Sequence, residues 1–291
     1  MKNTPFIAVT SQPVPYHADT TAIFNTLCQQ NSNSLLLDSA EIGSKNSLQS
    51  LILINAAVKI TCLGNQVTFR ALNANGKQVL KEIHPVLSQL GTVSAVSFDN
   101  EFSVQFAPLD NQLDEDSKLQ AATIFDGLRV ISNHYQHSST PVFLGGLFAY
   151  DLVANFIPMQ GVELKDDGIH CPDYSFYLAE NLITIDHQSQ QATLKSFCFS
   201  QEEQVEVAKT ALSISQKLKN IDGVLSIKAA SDEVSTNFED PEFTGIVKAL
   251  KHHINIGDVF QIVPSRRFSL ACPNTLASYA QLKLNNPSPY M

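Results

Sequence analysis

The stretch VKITCLGNQVTFRALNANG limits the possible folds more than any other part of the sequence. Ile60 and Cys62 share one face of an extended chain, and Val67, Phe69 and Ala71 continue that face beyond Gly64-Asn65, a two-residue hairpin signal. A period of two with one apolar face implies antiparallel strands, half buried, and NANG reads as a second turn that makes the segment a meander. Two apolar runs precede it. LLLDS suits a short buried strand with Asp38 and Ser39 at its exit, and SLILIN a separate strand. Downstream, YSFYLAENLITIDHQSQQATLKSFCF reads as a hairpin turning near His187 to Gln190. PVFLGGLFAYDLV reads as a strand whose Gly145-Gly146 pair marks a bulge or a close backbone approach. It is no phosphate loop, because neither a lysine nor a helix cap follows at the required spacing.

Helical spacing accounts for much of the rest. ADTTAIFNTLCQQ can be capped by Asp19 or Thr20 and places Ile23, Phe24 and Leu27 together. DEDSKLQAATIFDGLRVISNHYQ predicts one long helix with Leu119, Ala122, Phe125, Leu128, Ile131 and Tyr135 on its apolar face, and EEQVEVAKTALSISQKLKN predicts another. KAASDEVSTNFED is polar and reads as a linker. Beyond it come a helix, PEFTGIVKALKHHINIG, stopped at Gly257; a strand, DVFQIVPSRRFSL; and a helix, PNTLASYAQLKLNN, with Pro273 near its start. The predicted fold class is α+β, with largely antiparallel sheets packed with helices. The final NPSPYM poses a separate question. Pro287 and Pro289 push Asn286 and Ser288 into extended backbone, so Tyr290 and Met291 either dock somewhere or lead into further chain.

Several function classes fall away. A net charge of −9 disfavours non-specific nucleic-acid binding, which needs a basic stripe. No apolar run approaches the roughly 20 residues of a membrane span, and MKNTPFIAVTSQPVP does not read as a secretory signal, which leaves the cytoplasm as the expected location. Cys28, Cys62, Cys171, Cys198 and Cys272 are odd in number and widely spaced, with no CxxC pair, and read as small buried hydrophobes. HExxH, GxSxG and the dinucleotide fingerprint are all absent from the sequence. His252 and His253 suit a solvated or capping place at a helix C-terminus, and Arg266 and Arg267 alternate across their expected strand, so one could face an anion while the other faces water.

Four stretches, LLLDSAEIGSKNSLQSLILINAAVKI, LGGLFAYDLVANF, GDVFQIVPSRRFSL and LKLNNPSPYM, resemble the anthranilate synthase component I family of chorismate-utilising enzymes. The resemblance covers essentially all of this sequence but only the first part of the family's usual length, so the chain is expected to be an N-terminal fragment with an incomplete chorismate-enzyme fold. Residues 1–235 would be a tryptophan-sensing regulatory domain and 236–291 the start of the chorismate-binding catalytic domain. The family implies conversion of chorismate and ammonia to anthranilate and pyruvate, with ammonia delivered from glutamine by an amidotransferase partner subunit. It also implies magnesium, whose ligands are expected outside this chain.

In the family, tryptophan binds an allosteric site built from an LLES-like motif and a Pro-Tyr-Met run. The resemblance carries this site onto Asp38, Ser39, Gln49, Pro289, Tyr290 and Met291. Asp38 stands one methylene shorter than the family glutamate. Gln49 stands where relatives often carry a lysine suited to the ligand carboxylate, and Lys45 is the nearest cation that could substitute. Gln261 occupies the point where similar isochorismate and salicylate synthases carry a water-activating lysine; an amide cannot serve as a general base near neutral pH, which favours the amination branch. Two alternatives stay open. One is aminodeoxychorismate synthase component I, separated by a PIKGT-against-PIAGT difference outside this sequence, although SLQSLILINAAVKI favours anthranilate. The other is a non-catalytic amino-acid-binding module.

Overall fold

The computed structural model describes residues 5–28, 31–39, 48–97, 100–108, 112–136, 138, 140–157, 171–221 and 233–291. In chain order its elements are β1 (Ala8–Val14), α1 (Thr20–Cys28), β2 (Leu35–Leu37), β3 (Gln49–Leu63), β4 (Gln66–Ala71), α2 (Ala74–Leu87), β5 (Thr92–Ser97), β6 (Glu101–Gln105), α3 (Glu115–Gln120), α4 (Asp126–His134) and β7 (Leu144–Phe148). After a 3₁₀ turn at Tyr150–Asn155 follow β8 (Tyr174–Asp186), β9 (Gln191–Cys198), a second 3₁₀ turn (Gln201–Glu203), α5 (Gln204–Lys217), β10 (Val234–Thr236), α6 (Asp240–Asn255), β11 (Phe268–Leu270) and α7 (Thr275–Asn285). They form two compact units. The first is Met1–Gly223 together with Pro287–Met291, and the second is Val224–Asn286.

The first unit is built on a sheet with the strand order β1-β9-β8-β3-β4-β6-β5, with β2 added on β3 and β7 on β8, every pairing among the described residues being antiparallel. SLILIN and VKITCL, expected as two strands, are one 15-residue strand, β3. A bulge near Asn55 explains why the sequence reads as two pieces. The β3–β8 register shifts between Leu53 and Val58, so Ile52 and Ile54 face one cluster, whereas Ala56, Val58, Ile60 and Cys62 face another. One extra residue reverses the side-chain parity of a strand. Each sheet face therefore has its own core. Val79, Leu80 and Ile83 of α2 with Val130 and Ile131 of α4 cover one face, and Ile23 of α1 with Ala211 and Ile214 of α5 cover the other.

Two helical expectations are corrected. NANG is not a turn: Asn73 caps α2 by accepting a hydrogen bond from the Gly76 amide at 2.8 Å. Pro85 inside α2 masks a helix whose buried face is otherwise well spaced. The long helix expected over 114–136 is two, α3 and α4. Ala121 leaves the helical region with ψ 141°, and the Asp126 carboxylate accepts from the Thr123 amide at 2.7 Å, which starts a new helix. The Tyr174 hydroxyl donates to the Ile124 carbonyl at 2.7 Å and anchors the break to β8. Asp19 caps α1 through the Thr21 and Ala22 amides. The Gly145-Gly146 pair is a close approach: a Cβ on Gly146 would lie 2.2 Å from the Ser175 carbonyl oxygen.

In the second unit, Gly257 (φ 85°) ends α6 and Asn274 caps α7. DVFQIVPSRRFSL is a strand only over Phe268–Leu270, paired with Val234–Thr236, which lies in the expected linker; residues 228–232 of that linker fall outside the described residues. Pro264 offers no donor to a ladder, and the Arg267 amide is taken by the Asn237 side chain at 2.8 Å. The strand alternation expected for Arg266 and Arg267 is therefore lost: Arg266 turns to Asp240 and lies over the Phe268 ring. Cys28, Cys62 and Cys198 are buried as expected, whereas Cys171 and Cys272 are exposed.

Two stability predictions follow from this packing. In Gly76→Ala the new Cβ would lie 1.9 Å from the Ala57 carbonyl oxygen. Helix propensity alone would favour alanine by about 1 kcal/mol. Overpacking wins, and urea unfolding should show destabilisation of about 1–3 kcal/mol. Glu180 is buried on β8, its Oε2 accepting from Asn73 and Asn75, both at 2.8 Å. Burial raises its pKa above 4.5, the two amides offset part of that rise, and the Glu203 charge adds to it. A raised folded-state value favours folding below pH 4.5 and withdraws that contribution as pH climbs through it. Relative to Glu180→Gln, the wild type should lose stability as pH rises above about 4.5 in parallel urea titrations.

Candidate functional site

The pairing of Leu35–Leu37 with Leu51–Leu53 sets the LLLDS exit beside the start of β3. That leaves the other backbone edge of the LLLDS segment to be satisfied, and the last residues of the chain satisfy it. The Asp38 amide donates to the Met291 carbonyl at 2.7 Å, and the Met291 amide donates to the Asp38 carbonyl at 2.9 Å. Such a reciprocal pair is one rung of an antiparallel ladder. Pro289, with no amide hydrogen, contributes its carbonyl instead: the Ser39 hydroxyl lies 3.1 Å from it and 3.0 Å from the Gln49 carbonyl. The NPSPYM run thus docks on the first unit.

Asp38 is 3% exposed, and a carboxylate this deeply placed needs hydrogen-bond donors. Thr20 Oγ1 donates to Oδ2 at 2.9 Å and Ser50 Oγ to Oδ1 at 2.6 Å. Behind Ser50 stands His187, its Nε2 2.9 Å from Ser50 Oγ and its Nδ1 3.3 Å from the Tyr16 hydroxyl. The Ser39 amide also reaches Ser50 Oγ, at 3.2 Å. These are the residue types of a hydrolase triad in the wrong order: serine stands between carboxylate and imidazole, is fully buried, and has no approach to a substrate carbonyl. The arrangement holds a carboxylate; it is not a nucleophile.

In front of Asp38 opens a pocket of about 600 Å³ lined by Leu37, Asp38, Ser39, Gln49, Leu51, Tyr290 and Met291. That volume suits a small molecule. Its lining residues include a carboxylate, a hydroxyl and an amide together with two leucines, an aromatic ring and a thioether, residue types suited to an amino acid with an apolar side chain. The structure brings together Asp38, Ser39, Gln49, Tyr290 and Met291, with Pro289 present through its backbone. Lys45 lies outside the described residues. Gln261 belongs to the second unit, exposed on an irregular segment. Sequence reasoning missed Leu37, Leu51, Thr20, Ser50 and His187. The register of β2 on β3 could have signalled Leu51, which pairs with Leu37; nothing local marks the other three.

No group of three His, Cys, Asp or Glu side chains that could hold a metal ion occurs among the described residues. His253 at the end of α6 is exposed and lies 2.8 Å from Asp258, in keeping with a capping role. Among the described residues no helix is long and apolar enough to cross a membrane.

If the terminal run is what satisfies the Asp38 edge, deleting Pro287–Met291 should speed hydrogen exchange at the Asp38 amide by about ten-fold or more. Native-state exchange of the full and shortened chains checks this. Unchanged protection would show that the run does not hold the edge.

The chain is 87% identical over 286 residues to anthranilate synthase component 1 of Haemophilus influenzae, covering 98% of this chain and 55% of the relative. It is 43% identical to the Vibrio cholerae protein of the same name (100% and 56%) and 38% identical to that of Escherichia coli (95% and 53%). The chain thus spans about half the length of the curated relatives it matches. The crystal structure of anthranilate synthase component I from Streptococcus pneumoniae shares the fold, with a TM-score of 0.51 at 18% identity over 86% of this chain and 48% of that one. The sequence pattern of chorismate binding enzymes matches residues 80–291, and with that match over most of its length the chain belongs to the chorismate binding enzyme family.

Proposed function

We propose that this chain carries the tryptophan-sensing part of an anthranilate synthase large subunit, a protein that as a whole converts chorismate and ammonia to anthranilate and pyruvate in tryptophan biosynthesis. The observation that carries the reading is the 87% identity to the Haemophilus influenzae relative. On this reading residues 1–235 are the regulatory domain, 236–291 belong to the chorismate-binding domain, and a glutamine amidotransferase subunit supplies ammonia in the cytoplasm. Gln261 faces chorismate as a neutral amide, which cannot activate water and so leaves the substrate to ammonia. On this reading magnesium would be held by residues outside 1–291. The 291-residue chain alone is expected to be inactive.

The pocket gives the regulatory half of the proposal its chemistry. Asp38 attracts the ammonium group of tryptophan, and Gln49 offers an uncharged amide to its carboxylate. Leu37, Leu51, Tyr290 and Met291 enclose the indole. The Ser39 proton is directed at the Gln49 and Pro289 carbonyls, so this hydroxyl serves the ligand as an acceptor and ties the terminal run in place. Because the pocket joins the LLLDS segment to residues immediately following α7, occupancy can bias the packing of the large subunit, and inhibition then requires tighter binding to one arrangement than to another.

Joining residues 1–291 to the remainder of the Haemophilus influenzae relative should give an enzyme that forms fluorescent anthranilate from chorismate, magnesium and ammonium, and that uses glutamine only with its partner subunit. Release of isochorismate or salicylate would refute the role of Gln261. Tryptophan should inhibit this enzyme, and Ser39→Phe should abolish inhibition by filling the pocket. Gln49→Lys should tighten inhibition about ten-fold by adding one charge-assisted hydrogen bond to the ligand carboxylate. Initial rates against tryptophan concentration decide both, and unchanged inhibition in Ser39→Phe would exclude the pocket.

A further inference from the structure

We propose that Ser50 and His187 are positioning residues for Asp38, and that protonation of His187 weakens the hold of the pocket on a ligand ammonium group. The first half rests on hydrogen-bond bookkeeping alone; the second rests also on the tryptophan reading above. Ser50 Oγ has one proton and two lone pairs. Its proton goes to Asp38 Oδ1 at 2.6 Å, since an ionised carboxylate only accepts. One lone pair takes the Ser39 amide at 3.2 Å. The contact with His187 Nε2 at 2.9 Å then requires the imidazole to donate, so Nε2 carries a hydrogen. A neutral His187 is the Nε2–H tautomer, whose Nδ1 accepts from the Tyr16 hydroxyl at 3.3 Å. In the imidazolium both nitrogens donate, and the Tyr16 oxygen becomes the acceptor.

Both states satisfy Ser50, so protonation does not break the shell; it adds a positive charge on the far side of one buried hydroxyl from Asp38. Groups that face His187 include Tyr16 from the segment after β1, Asp38 through Ser50 from β2 and β3, and Asp186 from its own turn. Asp186 is held below the ordinary carboxylate value, first by the Ser189 amide and in smaller part by the charge on His187. A cation next to Ser50 offsets the field with which Asp38 attracts an ammonium ion, and by linkage a bound ammonium disfavours the imidazolium. Ligand affinity therefore rises with pH through the His187 titration and falls below it. Histidine is the side chain whose ordinary range places such a change near neutrality.

The chain contains no tryptophan, so the emission of the bound amino acid can be followed directly in titrations of the full chain. The dissociation constant for tryptophan should fall on the order of ten-fold from about pH 5.5 to about pH 8. In His187→Gln the amide NH₂ replaces the Nε2 donor without titrating, so affinity should stay near the high-pH wild-type value throughout. Ser50→Ala removes the donor to Asp38 and should weaken binding at every pH. ¹⁵N-resolved imidazole spectra of the ligand-free wild type supply an independent readout, with the Nε2–H tautomer expected above neutrality. An Nδ1–H tautomer would overturn the positioning role. The expected tautomer with pH-independent tryptophan affinity would overturn the coupling. The expected tautomer with no tryptophan binding at any pH would refute the ligand assignment and the coupling with it, and leave the positioning shell standing.

Discussion

The pairing of β3 with β8 is the constraint on which the rest of the first unit depends. These strands, 15 and 13 residues long, run antiparallel from Gln49↔Asp186 to Cys62↔Tyr174. All the remaining strands of the sheet are attached to one of them directly or through one or two intervening strands. Strands this long twist and cannot keep one face towards a single core. The register shift near Asn55 accommodates this by reversing the parity of β3, so two helix layers are buried on opposite faces. At the same level the fully buried Asn181 accepts from Ser196 at 2.7 Å, and Asn75 joins Glu180 to the backbone of β9 and the residue after it through Phe197 and Phe199. Polar groups concentrate where the ladder is interrupted, because backbone and side-chain donors there need partners that a regular sheet would supply.

The candidate site sits at one end of that same ribbon. Gln49 and Ser50 begin β3, and His187 follows β8, so the β3–β8 register carries the imidazole to the hydroxyl. Asp38 arrives from β2, Thr20 from the first turn of α1 and Met291 from the end of the chain. Thr20 and Ser50 hold the carboxylate, His187 backs Ser50, and Met291 pairs with the Asp38 backbone. None can move without stranding a buried polar group, and this explains how a three-residue strand such as β2 holds a fixed exit direction.

The second unit is organised differently. α6 has no buried residue, and Phe260, Val263, Phe268 and Leu270 are exposed. Its helices are capped and bounded where local chemistry says they should be, by Asn274 at the start of α7 and Gly257 after α6. Local signals suffice to make these helices, whereas the apolar faces of α6 and of the Phe268–Leu270 strand meet little within the unit. The long strand expected over residues 258–270 had every compositional mark of one. It is absent over most of that length because a strand is defined by its partner, and only three residues find one, in Val234–Thr236.

By itself the sequence determined the elements whose cause is local. Asp19 caps α1, Gly64-Asn65 closes the β3–β4 hairpin, His187 to Gln190 closes the β8–β9 hairpin, and period-two alternation announces an antiparallel α+β protein. Through the family resemblance, LLLDS and NPSPYM also named Asp38, Ser39, Tyr290 and Met291, which line the pocket. Tertiary structure alone decided that β3 is continuous through its bulge, that NANG opens a helix against Ala57, and that the helix expected over 114–136 breaks where Tyr174 anchors Ile124. It alone decided that Thr20, Ser50 and His187 surround Asp38. The reason is physical: a cap or a turn is settled within a few residues, whereas a buried carboxylate takes its donors from wherever the sheet register brings a hydroxyl within reach.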